Sequence, residues 1–207
     1  MSSEQVLSRG LAQMDLDLDA GVRARLLAYL DLLGRWNRVY NLTAIRDPLE
    51  QVTRHLLDSL AVLAHLPAGS VLDVGSGAGL PGIPLALARP ARAFQLLDSS
   101  LKKTRFLTQA VAELGIGNVT VMRSRVEDFR PPVPPQVIVA RAFAPLARML
   151  PAIRHLCRPG VTVLAMKGPD TVREREALPE GFVLIETHRL TVPGLSEDRR
   201  LLRITRG

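Results

Sequence analysis

The chain has 207 residues, 47% of them hydrophobic and 23% charged, a balance that excludes a disordered polymer and allows one sizeable core. Its formal net charge is +7, and of the 27 basic side chains only Lys102, Lys103 and Lys167 are lysines. An Arg-rich surface of this kind attracts phosphate backbones and stacks on bases, although a GC-rich genome would produce the same excess.

Residues 1 to about 66 read as a helical extension. Leu26, Leu27, Leu30 and Leu33 recur at helical spacing between Val22 and Gly34. Asp47-Pro48-Leu49-Glu50 is a helix start, with Asp47 as cap, Pro48 at the first helical position and Glu50 placed for a returning capping-box bond. That helix is expected to run to about Leu66, stopped by Pro67 and Gly69. Trp36 to Thr43 is read as the connection between the two helices.

From residue 67 to 207 short apolar runs alternate with helical segments. The runs are Val71–Val74, Ala93–Leu97, Val119–Met122, Val137–Ala140, Val161–Met166, Phe182–Glu186 and Leu201–Thr205. The first five are near-continuously apolar, as in strands covered on both faces of a parallel sheet. A helix capped by Ser99 or Ser100 ends at Gly115, and another from Pro145 to Arg158 is bent or broken at Pro151. Arg130 to Pro135 is a stiff connector. Only 14 residues, Thr187 to Arg200, part the last two runs, which is too few for a helical crossover and predicts antiparallel pairing. The expected architecture is α/β: a doubly wound, seven-stranded, mostly parallel sheet of the Rossmann-like type. The helical extension, 1–66, packs with the sheet domain, 67–207, as one unit.

The first run enters Asp73-Val74-Gly75-Ser76-Gly77-Ala78-Gly79-Leu80-Pro81-Gly82. Two cofactor classes compete for this loop. Gly77-x-Gly79-x-x-Gly82 with Asp98 some 20 residues on permits a dinucleotide. The register favours S-adenosylmethionine: the turn starts at Gly75, and an acid two residues earlier, Asp73, suits the amino-acid tail of a methyl donor. A glycine-rich turn without a ligand is the plain alternative. Asp98, at the end of the second run, can accept ribose hydroxyls in either cofactor class or cap the helix beginning at Leu101. Glu127, in Arg125-Val126-Glu127, can read an adenine edge or belong to a solvated loop.

After the fourth run comes Ala140-Arg141-Ala142-Phe143. The Asn/Asp-Pro-Pro-aromatic pattern of exocyclic-amine methylation is absent there. The lone cysteine, Cys157, follows Leu156 rather than Pro and reads as a small core residue, not as a nucleophile for pyrimidine C5. Guanine N7 carries no proton, so its methylation needs no general base, only proximity and alignment. Arg141 and Lys167 are the candidate catalytic residues, holding the guanine edge or its phosphate, and Phe143 can stack on a base or fill core. His55 and Asp58 share a helix face, with Asn41 upstream; they form either a polar network at the site mouth or an ordinary helix surface.

The chain resembles the bacterial small-subunit ribosomal RNA guanine-N7 methyltransferase family, RsmG or GidB. The resemblance rests on Trp36-Asn37-Arg38-Val39-Tyr40-Asn41-Leu42-Thr43, Arg54-His55-Leu56-Leu57-Asp58-Ser59 and the loop from Asp73 to Pro84. Leu97-Asp98-Ser99, Ser124-Arg125-Val126-Glu127, Ala140 to Phe143, Met166-Lys167-Gly168 and Arg199-Arg200 follow in order. It implies methylation of N7 of a guanine in 16S ribosomal RNA, naked or within the small-subunit particle. It also implies that Gly75, Leu80, Val126, Glu127 and Arg141 fall on cofactor-contact positions, and that Arg125, Arg141, Lys167 and Arg199 match basic positions of the RNA or reactive site. Val126 stands where Ala is more familiar, and Arg200 where many relatives have His. With Asp73, Gly77, Gly79 and Asp98 the cofactor set is complete; no metal is expected. The single thiol, the lack of a signal-like N-terminus and the absence of an apolar run long enough for a bilayer lead to the expectation of a cytoplasmic protein, with a monomer as the default. The rival functions are a nicotinamide-dependent oxidoreductase and a non-catalytic RNA-binding module.

Overall fold

A computed structural model describes residues 1–169 and 178–207. Helix α1 (Ser3–Gln13) opens on a complete capping box between Ser2 and Gln5, and α2 (Ala20–Tyr40) is capped by the Asp19 carboxylate. Helix α3 (Pro48–Gln51) passes into a π-helical segment (Val52–Leu57) and then α4 (Asp58–Leu60), with a 3₁₀ turn at Leu63–His65. The expected single helix is therefore present but changes its hydrogen-bond pattern midway. Asp47 caps it as anticipated, accepting from the Glu50 N–H at 2.8 Å.

Trp36 to Tyr40 is not a connector. It continues α2 as far as Asn41, which ends the helix in the left-handed region at φ 48°. Trp36 packs against Tyr40 and, edge-on, against Phe106.

Among the described residues seven strands form one sheet: β1 (Val71–Val74), β2 (Phe94–Asp98), β3 (Val119–Arg123), β4 (Val137–Arg141), β5 (Thr162–Lys167), β6 (Phe182–Leu190) and β7 (Arg199–Arg206). Their order is β3-β2-β1-β4-β5-β7-β6. The first five are parallel; β7 is antiparallel to both β5 and β6, as the short connection requires. Between β1 and β4 the order reverses, which opens a crevice beyond their carboxyl ends. The sequence expectation of two covered faces fails for β3, whose residues are half-buried or exposed. As the edge strand it has a neighbour on one side only, which local hydropathy cannot reveal.

Side chains along β1 and β4 alternate between two cores. Val71, Val137 and Val139 join α1, α2, the π segment, α5 (Gly82–Ala88) and α6 (Leu101–Glu113) on one face. Leu72, Val74, Ile138 and Ala140 face α7 (Leu146–Ile153) on the other. Helix α7 includes Pro151 without breaking there and ends in a 3₁₀ turn at Arg154–Leu156. Ser100 stands at the N-cap of α6, but no side-chain capping bond is made. Cys157 lies fully buried in the second core, its thiol pushed up to about 11 by desolvation, in keeping with a core residue.

Candidate active site

The glycine loop is folded around its own acid. Asp73 lies on the β1 face covered by α2 and α5, so it is fully buried. Its Oδ2 accepts from the Gly82 N–H at 3.0 Å, the first residue of α5. Its Oδ1 is buried with no hydrogen-bond partner among the described residues. Burial pushes this carboxyl up to about 7, against the pull of the Gly82 bond. From α2 the Tyr29 hydroxyl donates to the Ala78 carbonyl at 2.6 Å, and burial raises the phenol well above its usual range. The helical extension thus pins the loop directly, a role nothing in the local sequence signals.

The state of this helix start bears on the choice between the two cofactor classes. A pyrophosphate needs free N–H groups and unneutralised positive potential at the helix start. Here the Gly82 N–H is already committed to a carboxylate. An unpartnered buried carboxylate oxygen suits a donor instead, such as the ammonium of a methionine tail or a bridging water.

Beyond the carboxyl ends of β1, β2 and β4 lies a cleft of about 290 Å³, lined by Gly75, Asp98, Lys103, Arg125, Val126, Glu127 and Phe143 among others. Asp98 accepts from the Gly77 N–H at 3.0 Å and from the Ser100 N–H at 2.9 Å, with Lys103 Nζ at 3.6 Å. It therefore ties the glycine loop to the turn that leads into α6, bonding the N-cap residue Ser100 without itself capping the helix. Val126 is buried, whereas Glu127 is exposed and 3.7 Å from Arg125. Gly75 has φ 69°, and a Cβ there would run into the Phe143 ring.

A second cleft, about 360 Å³, adjoins the first at Ala142 and is lined by Ile45, Arg54, His55, Asp58, Arg141, Lys167, Arg199 and Arg200 among others. At its centre the nearly buried Asp58 carboxylate bridges two guanidiniums: Arg141 Nη1 at 2.8 Å and Arg199 Nε at 3.2 Å. Arg141 also donates to the Arg54 carbonyl in the π segment at 2.9 Å. His55 is buried, its Nε2 3.0 Å from Thr43 Oγ1. Desolvation, assisted by Arg141, pushes His55 down to about 4, so it is neutral at physiological pH. Neither His55 nor Asp58 is an ordinary helix surface. Lys167 Nζ donates to the Ala144 carbonyl at 3.0 Å. Ala142, between the clefts, is held at φ 52°, a conformation that costs a non-glycine residue about 1 kcal/mol or more.

The sequence candidates are thus distributed as follows. Gly75, Asp98, Arg125, Val126 and Glu127 line the first cleft, and His55, Asp58, Arg141, Lys167 and Arg199 the second. Asp73, Gly77, Gly79 and Leu80 line neither: they form the wall behind, where a Cβ on Gly79 would strike Ile83 and the Leu80 side chain is core. Arg125, grouped in the sequence with the basic positions expected at the RNA or the site mouth, stands on the first cleft's rim. Asn41 does not reach the second cleft either; it ends α2 and accepts from Arg46 at 3.4 Å. Sequence reasoning missed Lys103, Tyr29, Thr43 and Ala142. The buried Asn37, which accepts from the Thr43 N–H at 2.8 Å, was the available hint for Thr43.

The profile of a family described as rRNA small subunit methyltransferase G matches residues 23–203. Two relatives bear the name ribosomal RNA small subunit methyltransferase G. The one from Pseudomonas paraeruginosa is 51% identical over 97% of this chain and 94% of its own length. The other, from Nitrosococcus oceani, is 48% identical over the same shares. Among solved structures, magnesium protoporphyrin IX methyltransferase from Synechocystis PCC 6803 with bound SAM superposes with a TM-score of 0.58 at 21% identity, covering 92% of this chain and 99% of that one. That likeness shows a shared methyltransferase fold. A full-length match at about half identity, on a chain whose glycine loop, acid and paired clefts are arranged as above, places this protein in the rRNA small subunit methyltransferase G family.

Proposed function

We propose that the protein transfers a methyl group from S-adenosylmethionine to N7 of a guanine in 16S ribosomal RNA. The carrying observation is the buried Asp58 carboxylate holding Arg141 and Arg199 in a cleft next to the one formed by the glycine loop. Family membership supports the reading, and the crevice at the strand-order reversal is where ligands of open α/β sheets bind. The continuous core from Leu7 and Leu26 to Val71 and Ile83 supports treating 1–66 and 67–207 as one folding unit.

The residues present fit the methyl donor. Asp98 offers its carboxylate to the ribose hydroxyls, Val126 and Glu127 flank the adenine, and Asp73 Oδ1, behind the cleft wall, meets the ammonium through a bridging water. When bound, S-adenosylmethionine supplies a sulfonium methyl that the N7 lone pair takes in line, the C–S electron pair returning to sulfur. Arg141, Arg199 and Lys167 orient the base by donating to its O6 or to the flanking phosphate. Asp58 keeps both guanidiniums in place before substrate arrives, so little reorganisation remains for the encounter. N7 carries no proton, so no base is required.

The direct test is transfer of labelled methyl from S-adenosylmethionine to rRNA from a strain lacking the enzyme, with the modified base mapped. Label at guanine N7 of 16S rRNA is the expected result; no incorporation into naked RNA or small-subunit particles overturns the reading. Binding carries a pH signature as well. Asp73, raised to about 7 by burial, is protonated below that pH and cannot then balance an ammonium. Affinity for S-adenosylhomocysteine, measured by calorimetry, is therefore expected to fall by up to tenfold per pH unit below about 7 and to level off above it. Asp73→Asn should weaken binding and remove the inflection, while flat affinity from pH 6 to 8 in the wild-type protein would exclude the ammonium contact.

A further inference from the structure

The end of α2 and the start of α6 present apolar and aromatic surface that the two clefts do not use. Val39, Tyr40 and Leu101 are 71%, 41% and 46% exposed. The Tyr40 ring is not loose: it rests on Trp36 with centroids 5.2 Å apart, and Trp36 rests edge-on against the buried Phe106 at 5.6 Å. Lys102 Nζ donates to the Tyr40 carbonyl at 3.3 Å, which ties the two helices together at this point. Lys102, through that bond, and Arg46, which donates to the side chain of the adjacent Asn41, lie beside Tyr40, and both are exposed. Neither makes an ion pair among the described residues, whereas Arg54 and Arg199 are matched by carboxylates. The patch is therefore an aromatic face beside unneutralised positive charge.

Its position connects it to both clefts. The segment after Tyr40 carries Thr43, which meets His55, and Ile45, which lines the second cleft. Leu101 and Lys102 open α6 two residues beyond Ser99 of the first cleft, after the N-cap Ser100. A chain leaving the second cleft over residues 41–46 would arrive on Tyr40.

We propose that Tyr40 is a stacking platform for an unpaired base of the RNA strand flanking the target guanine, with Arg46 and Lys102 contacting the adjoining phosphates. The proposal rests on the reading of the protein as an RNA methyltransferase and names a substrate-gripping surface for it. Rigid aromatic faces within basic surroundings bind single-stranded nucleic acid through stacking, largely without regard to sequence. Charge complementarity favours RNA over a protein partner here, because two unpaired cations beside one exposed ring suit a polyanion.

Two measurements on the full-length protein test it: binding of a fluorescent single-stranded oligoribonucleotide of mixed sequence, and steady-state methylation of 16S rRNA. Tyr40→Ala is expected to weaken oligonucleotide binding and raise the rRNA KM by about tenfold, with kcat and S-adenosylhomocysteine affinity unchanged. Tyr40→Trp should restore both, since it keeps the platform. Lys102→Ala should make the log–log salt dependence shallower by about 0.7, and Tyr40→Ala should leave that slope alone. Wild-type KM and binding in Tyr40→Ala would overturn the proposal, as would a fall in kcat or in melting temperature that Tyr40→Trp fails to reverse. If oligonucleotide binding is unaffected and only KM for the assembled particle rises, the patch meets a ribosomal protein and the RNA assignment is wrong. Failure of the wild-type enzyme to methylate any rRNA would strike the functional reading instead, leaving the oligonucleotide measurement to judge the patch.

Discussion

Replacing Asp58 with alanine is expected to lower methyl transfer by on the order of 100-fold and to destabilise the fold by about 2–3 kcal/mol. The carboxylate is buried and is shared by Arg141 and Arg199, whose side chains are 19% and 22% exposed. Without it, two guanidiniums confront each other across a largely dry gap. Breaking a buried pair typically costs about 3–5 kcal/mol; the partial exposure of both arginines lets water recover some of that, hence the smaller figure. The rate falls for a separate reason, because Arg141 loses one of the two acceptors that fix its position, keeping the Arg54 carbonyl. Asp58→Asn keeps the shape and one acceptor but not the charge, and should fall between alanine and wild type. Urea unfolding gives the stability, and single-turnover transfer with saturating rRNA and methyl donor, at a temperature where the variant is fully folded, gives the rate. A variant with wild-type turnover would show that the bridge is structural alone.

The second large effect is expected at Gly75. Its φ of 69° lies in the left-handed region, where an alanine costs about 1–2 kcal/mol. The added Cβ also collides with the Phe143 ring, which must shift into the cleft or away from it. Overpacking of this sort typically costs about 1–3 kcal/mol, so Gly75→Ala should weaken S-adenosylhomocysteine binding by roughly 10- to 100-fold. The two causes can be separated. Phe143→Ala in the Gly75→Ala background removes the collision but not the backbone strain. Recovery of most of the lost affinity would assign the defect to the ring; no recovery would assign it to the turn. Calorimetry on both variants decides this, and Gly75→Ala binding within twofold of wild type would remove Gly75 from the cleft's working wall.

Much of the architecture could be read along the chain. The seven strands fall on the seven apolar runs, and the final antiparallel pair follows from the length of the link between them. The glycine turn after β1 and the Asp47 cap with Pro48 behind it are local devices whose chemistry is complete within a few residues. Readings failed where the deciding contact lay elsewhere. Trp36 to Tyr40 stays helical because Phe106, 70 residues away, gives Trp36 a surface to pack on. Strand β3 is half-exposed because it is an edge, and strand order is a property of the whole sheet. Leu80 follows the glycine turn, but its side chain turned out to belong to the core behind the cleft.

Periodicity, caps and turn residues act between neighbours in the chain, so they determined the elements, the loop and the candidate acids before any fold was known. The working arrangement came from tertiary structure alone. Asp58 meets Arg141 across 83 residues and Arg199 across 141, and Tyr29 reaches the glycine loop across 49. Charges at such separations carry no mutual signal in the sequence. They meet because β1 and β4 are neighbours at the strand-order reversal and the helical extension folds across their ends, where a carboxylate shut away from water can offset its desolvation only through the guanidiniums brought to it.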